Sequence, residues 1–133
     1  MRVLIDTNVI LDVWLAREPF VRESARLLSA AEKGTITAIV CPTTVTTLHY
    51  LVKKEKGERK ARSLLMDLMK ICEVGSLQRS EIQHALQSKI RDFEDAVIEA
   101  TASQAEADVI ATRNVADFRM ARIPAREPQE IRW

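Results

Sequence analysis

The sequence predicts an α/β fold: a three-layer α/β/α sandwich with a central parallel sheet of about five strands, formed by residues 1–133 as one domain. Three observations predict it. Short apolar runs of strand length alternate with helical stripes from one end of the chain to the other, which implies a parallel sheet covered on both faces. The chain has 133 residues, of which 47% are hydrophobic, enough to build a sizeable core. It contains no internal repeat, low-complexity tract or Gly-, Pro- or Ser-rich linker that would mark a domain boundary.

Arg2 to Ile5 reads as a strand closed by Asp6, after which Val9, Ile10, Val13 and Trp14 recur at helical spacing. A second helix is predicted to start at Pro19, a residue suited to the first helical position, to turn Phe20, Leu27, Leu28 and Ala31 inward, and to end at Gly34. Ile36 to Val40 is the next strand. After Pro42 the cluster Thr43, Thr44, Thr46 and Thr47 offers N-cap oxygens to a helix that continues through Leu48, Leu51 and Val52 to Gly57. Ala61, Leu64, Leu65, Leu68 and Met69 form the clearest helical stripe, followed by a strand at Ile71 to Val74. Ile82, Ala85, Leu86 and Ile90 mark a further helix. Another begins at Asp92 with Phe93, Ala96, Val97, Ala100 and Ser103 turned inward. Asp108 to Thr112 is a strand, Asn114 to Asp117 a polar turn, and Ile123 to Arg126 an edge strand.

Twenty Lys and Arg against 19 Asp and Glu leave a formal charge of +1, so any polyanion site is a local patch rather than a global field. Asp6 and Asp12 interrupt the apolar N-terminus, and no long apolar run is present, so no membrane association and a cytoplasmic location are expected. Cys41 and Cys72 have no neighbouring ligand pair and are expected to be buried thiols in or beside strands.

Parallel sheets place their chemistry at the carboxyl ends of strands. Asp6 directly follows the first strand, Asp95 lies in the first turn of a helix, and Asp117 follows the strand ending at Thr112. Asp92 shares a helical face with Asp95, and it equally suits the helix N-cap. Converging carboxylates repel one another, and a divalent cation is the simplest way to reconcile them. With no sulfur or clear histidine ligand nearby, the expected ion is Mg²⁺ or Mn²⁺. Such an ion suits phosphodiester hydrolysis without a side-chain nucleophile.

The stretch Val3-Leu4-Ile5-Asp6-Thr7-Asn8-Val9-Ile10-Leu11-Asp12 resembles the opening of PIN domains. Asp92-Phe93-Glu94-Asp95-Ala96 is similar to the third acidic motif of that family, and Thr112-Arg113-Asn114-Val115-Ala116-Asp117-Phe118 to its last. The resemblance covers essentially the whole chain. It implies a five-stranded parallel sheet between helices and a metal-dependent ribonuclease like the VapC-type toxins, each held in check by a cognate antitoxin, with a homodimer as a common assembly. By that resemblance Asp6 and Asp95 are the metal ligands and Asp117 a further catalytic acid. Asn8 holds Asp6 in position, Thr112 and Asn114 give polar support, and Asp92 serves a second metal or supports the first. One position departs from the pattern: the usual glutamate of the helix after the second strand falls within Thr43 to Leu48, at Thr47 by the resemblance, where no acid lies, and His49 sits on another helical face. The resemblance therefore leaves open an active nuclease of reduced activity or a PIN module that binds RNA or a protein partner without cutting.

Lys53, Lys54, Lys56, Arg59, Lys60 and Arg62 read as a solvated helix face, whereas Arg113, Arg119, Arg122 and Arg126 border the acidic motifs. Arg113 and Arg119 are the expected substrate contacts, to RNA phosphates. With only one Tyr and three Phe, a broad base-stacking platform is not expected. A haloacid-dehalogenase-like phosphatase also opens with a strand running into Asp, but it requires a second aspartate where this chain has Asn8.

Overall fold

The computed structural model describes residues 1–133. Its strands are β1 (Arg2–Ile5), β2 (Thr37–Val40), β3 (Cys72–Val74), β4 (Val109–Ala111) and β5 (Ala125–Arg126). They form one parallel sheet in the order β3-β2-β1-β4-β5. The chain steps outward from β1 through β2 to β3, then returns past β1 to build β4 and β5. The direction of winding therefore reverses between β1 and β4, and such a reversal opens a crevice at the carboxyl ends of the strands.

The helices are α1 (Thr7–Trp14), α2 (Val21–Glu32), α3 (Pro42–Lys56), α4 (Glu58–Ile71), α5 (Arg79–Leu86) and α6 (Phe93–Gln104). Strand side chains alternate between two faces. Val3, Ile5, Ala38, Val40, Val109 and Ala111 pack with residues of α1 to α4, such as Ile10, Leu27, Leu48 and Leu68. Leu4, Ile39 and Ile110 pack on the other side with Ala85, Ala96, Val97 and Ala100 of α5 and α6. The sandwich is thus the predicted one, with a separate core on each face of the sheet. Both cysteines are buried free thiols, and burial pushes the Cys72 thiol up to about 12.

Several local expectations are corrected. Pro19 does not open α2; it lies in the preceding turn, and the helix starts at Val21. Phe20 is 39% exposed rather than buried, because it sits beneath the guanidinium of Arg113 at the surface. The threonines do not cap α3: the helix begins at Pro42, whose missing N–H costs nothing there, and Cys41 is the cap residue. Ile82, Leu86 and Phe93 are exposed. On α5 the inward edge is Glu81 and Ala85, since small Ala85 lets the helix approach α6 while Ser76 Oγ and Gln78 N donate to the Glu81 carboxylate. Ile82 and Leu86 are each rotated one residue, about 100°, from that edge. Phe93 is the first residue of α6 and stays at the surface.

Gly75 has a packing reason to be glycine. Its backbone N–H bonds Val40 O at 2.8 Å, and a Cβ there would overlap the Thr101 methyl group.

Candidate active site

Asp6 is placed by β1 and α1 together. Its backbone N–H extends the sheet by bonding Ala111 O at 2.9 Å, and its side chain caps α1. Oδ1 accepts from Thr7 N at 2.8 Å, while Oδ2 accepts from Thr112 Oγ1 at 2.7 Å and from Asn8 Nδ2 at 3.2 Å. The residue is only 5% exposed, and every one of these donors is neutral. Burial raises the pKa of the Asp6 carboxyl, the three donors oppose the rise, and the charge of Asp117 adds to it.

Asp95, half-buried in the first turn of α6, is pushed up to about 7, chiefly by burial and then by the charges of Asp92, Asp6, Asp117 and Glu94. Asp117 is exposed in the 3-10 turn Val115–Phe118 that follows β4, with its N–H bonded to Asn114 O at 3.0 Å. The charge of Asp117 acts on Asp6, and the charges of Asp6 and Asp117 act on Asp95. A cleft of about 350 Å³ opens here, lined by Arg91, Asp92, Asp95 and Asp117. Asp6 is not on its wall; its charge acts from the buried end of β1.

The PIN domain family model matches residues 2–116, which span all of these elements but the end of the 3-10 turn and β5. The chain belongs to the PIN domain family. Solved structures share the fold. VapBC2 from Rickettsia felis, bound to a DNA fragment from its promoter, is 16% identical with a TM-score of 0.74, over 96% of this chain and 98% of that one. A toxin-antitoxin complex from Klebsiella pneumoniae is 25% identical with a TM-score of 0.72, over 97% and 99%. Mycobacterium tuberculosis VapC20, a Sarcin-Ricin loop cleaving toxin, is 14% identical with a TM-score of 0.64, over 81% and 86%. No curated protein sequence matches significantly.

The remaining residues of this PIN site divide into those that support Asp6 and those that do not. Asn8 joins two elements: its amide nitrogen serves Asp6, and its Oδ1 accepts from Arg113 N at 3.3 Å. Thr112 is fully buried, and its hydroxyl donates to Asp6 while accepting from Asn114 N at 3.0 Å. Asn114 contributes that backbone contact, and its side chain is exposed. Asp92 is the N-cap of α6, its Oδ1 accepting from Asp95 N at 3.0 Å, and it adds negative charge to the cleft. Thr47 is half-buried on α3 and carries no charge. One turn earlier, buried Thr44 meets Thr7 hydroxyl to hydroxyl at 3.0 Å, which ties α3 to the start of α1 by a neutral contact.

Arg113 is not the free phosphate contact predicted. Its Nε and Nη2 donate to the two oxygens of Asp12 at 2.7 and 3.1 Å, and its guanidinium lies 4.0 Å from the Phe20 ring centroid. The reason is Asp12, a fully buried carboxylate on α1 that must be compensated. Sequence reasoning missed this pair, although an acid among the apolar residues Ile10, Leu11, Val13 and Trp14 signals a buried charge seeking a cation. Arg119 is exposed and in no ion pair, and Arg91, which was not predicted, lines the acidic cleft.

The acids at the cleft offer only oxygen donors, the kind that a hard divalent ion takes. The set is open rather than closed: no three His, Cys, Asp or Glu side chains form a ready ligand group.

Proposed function

We propose that this chain is a metal-dependent endoribonuclease that hydrolyses RNA phosphodiester bonds, and that it is the toxin of a toxin-antitoxin pair. What supports this reading is the PIN family match together with the cleft lined by Asp92, Asp95 and Asp117, beside which Asp6 is held at the end of β1. Asp6 and Asp95 would hold Mg²⁺ or Mn²⁺, with Asp117 as a further acid of the site and Asp92 beside it. When bound, such an ion makes water a better nucleophile and offsets charge developing on a phosphoryl oxygen. The chain's own work is to hold the acids in place. Thr7 N, Asn8 and Thr112 fix both oxygens of Asp6, and the cap bond from Asp95 N to Asp92 fixes the start of α6. Arg91 and Arg119 are free to meet the RNA backbone near the cleft.

An antitoxin is the partner suggested by the likeness to the toxin-antitoxin complex from Klebsiella pneumoniae. A single domain over residues 1–133, a homodimer and a cytoplasmic location complete the reading. No helix is long and apolar enough to cross a membrane.

A second reading, a PIN module that binds RNA or a protein partner without cutting, is favoured by the absence of an acid at Thr47 and by the open ligand set. Cleavage of RNA with Mn²⁺ present or chelated, by wild type and by Asp6→Asn, separates the two. The nuclease reading expects cutting by wild type alone and only with the ion. Retained RNA or partner binding with no cutting by either protein supports the second.

A further inference from the structure

One turn along α6 from the acidic cleft lies a second cavity, of about 280 Å³. The same three stretches of chain line both. Gln87, Ser88 and Lys89 lead directly into Arg91 and Asp92, Glu99 follows Asp95 by one turn of α6, and Arg122 follows Asp117 after the 3-10 turn. Four residues of helix separate the two sites by ~6 Å along α6.

The floor of this cavity is polar but satisfied. Glu99 is 1% exposed, its Oε2 lies 2.9 Å from His84 Nε2, and its Oε1 accepts from Arg122 N at 3.2 Å. Both carboxylate oxygens are therefore occupied. The walls are different, because the side chains of Lys89 and Arg122 are exposed and in no ion pair. Ser88 Oγ accepts from Ile90 N at 3.0 Å, which leaves its O–H free to donate. Gln87 adds an amide, and Met120 is the sole hydrophobic residue on the lining, so the cavity is a poor receptor for a stacked base. It offers two unspent cations and neutral donors, the set that suits a phosphodiester.

We propose that this cavity is a phosphate subsite for the RNA strand, in which Lys89 and Arg122 hold a phosphodiester neighbouring the one presented to the acidic cleft. The inference rests on the nuclease reading above. It also reassigns the phosphate contact that the sequence had given to Arg113, whose charge is committed to Asp12. Positive charge beside the cleft offsets the repulsion that Asp92, Asp95 and Asp117 exert on an incoming polyanion.

The test is binding of a mixed-sequence single-stranded RNA of about ten nucleotides, in chelator so that nothing is cut, across a series of salt concentrations. Wild type is compared with Lys89→Gln/Arg122→Gln, Arg122→Lys and, on the far side of the sheet, Lys60→Gln. The double variant is expected to bind roughly tenfold more weakly at low salt and to lose about 0.7 from the slope of log affinity against log salt, the value of one single-strand phosphate contact. Arg122→Lys and Lys60→Gln should keep the wild-type slope. Equal slopes and affinities for wild type and the double variant overturn the subsite and leave the nuclease reading standing if wild type still cuts. A wild type that neither binds nor cuts RNA overturns both.

Discussion

Two aspartates of the first helical segment are buried to nearly the same degree and are treated in opposite ways. Asp12, fully buried on α1, has both oxygens bonded by Arg113, and Arg17 lies 3.9 Å from Oδ1. Asp6, 5% exposed at the start of the same helix, receives only an amide N–H, a carboxamide and a hydroxyl. The fold thus neutralises one charge internally and orients the other without neutralising it. Asp6 is a carboxylate held in fixed geometry with no cation of its own, which is what the proposed metal role requires of it. Burial alone does not distinguish the two acids; the lack of an internal counter-charge at Asp6 does.

The sharpest test is to remove each charge and ask whether activity or stability falls. Asp6→Asn should lower metal-dependent RNA cleavage by roughly 10³-fold, about 4 kcal/mol, with a melting temperature equal to wild type or higher. Its oxygen can still accept from Thr7 N, and removal of a buried charge offsets the loss of the acceptor that faced Thr112 and Asn8. A variant that cuts as well as wild type breaks the comparison at its functional end. Asp12→Ala should reverse the pattern, costing about 3 kcal/mol of stability by stranding Arg113 over Phe20. Denaturant unfolding measures it, and a loss well under 1 kcal/mol would show that Asp12 and Arg113 contribute little as a pair.

The sequence made one member of this contrast legible and hid the other. Asp6 could be read because a strand that ends in an acid and opens at once into a helix has few packing explanations, and the order of apolar runs likewise predicted the sheet and both covered faces. The expectation that Asp95 and Asp117 join Asp6 came from the rule that sites gather at strand ends and from the PIN resemblance, and the structure brings Asp95 and Asp117 to one cleft. The Asp12–Arg113 pair was not legible, because its members are 101 residues apart and nothing local assigns an arginine to a buried acid rather than to a substrate. The inward edge of α5 failed for a related reason: Ala85 sits between two possible faces, and only the hold on Glu81 by Ser76 and Gln78 decides between them.

Supplying the acid that α3 lacks sharpens the comparison from the other side. Thr47→Glu places a carboxylate on the helix whose neighbouring residue Thr44 already touches the start of α1. If the open ligand set limits activity, the variant should cleave RNA about tenfold faster at subsaturating Mn²⁺, about 1.4 kcal/mol, and bind the ion more tightly by calorimetry. Unchanged cleavage and affinity would mean that Thr47 does not face the acids.

The smallest effect concerns the proton that replaces the ion when no ion is bound. Asp95 has an ordinary pKa of 3.8 and is raised to about 7 in the folded chain. Between those values the folded state holds a proton that the unfolded state releases, so this contribution to metal-free stability is complete below about 3.8, declines as pH rises, and is gone above about 7. In chelator, wild type should therefore lose a few degrees more of melting temperature between pH 5.5 and pH 8 than Asp95→Asn does. With Mn²⁺ the sign reverses, because the ion favours the ionised carboxylate, and cleavage should climb with pH until about 7. The charges of Asp92, Asp6, Asp117 and Glu94 all act on Asp95, so its profile reports on the acids around it. Identical melting profiles for wild type and Asp95→Asn would place Asp95 outside the group of acids that Asp6 faces.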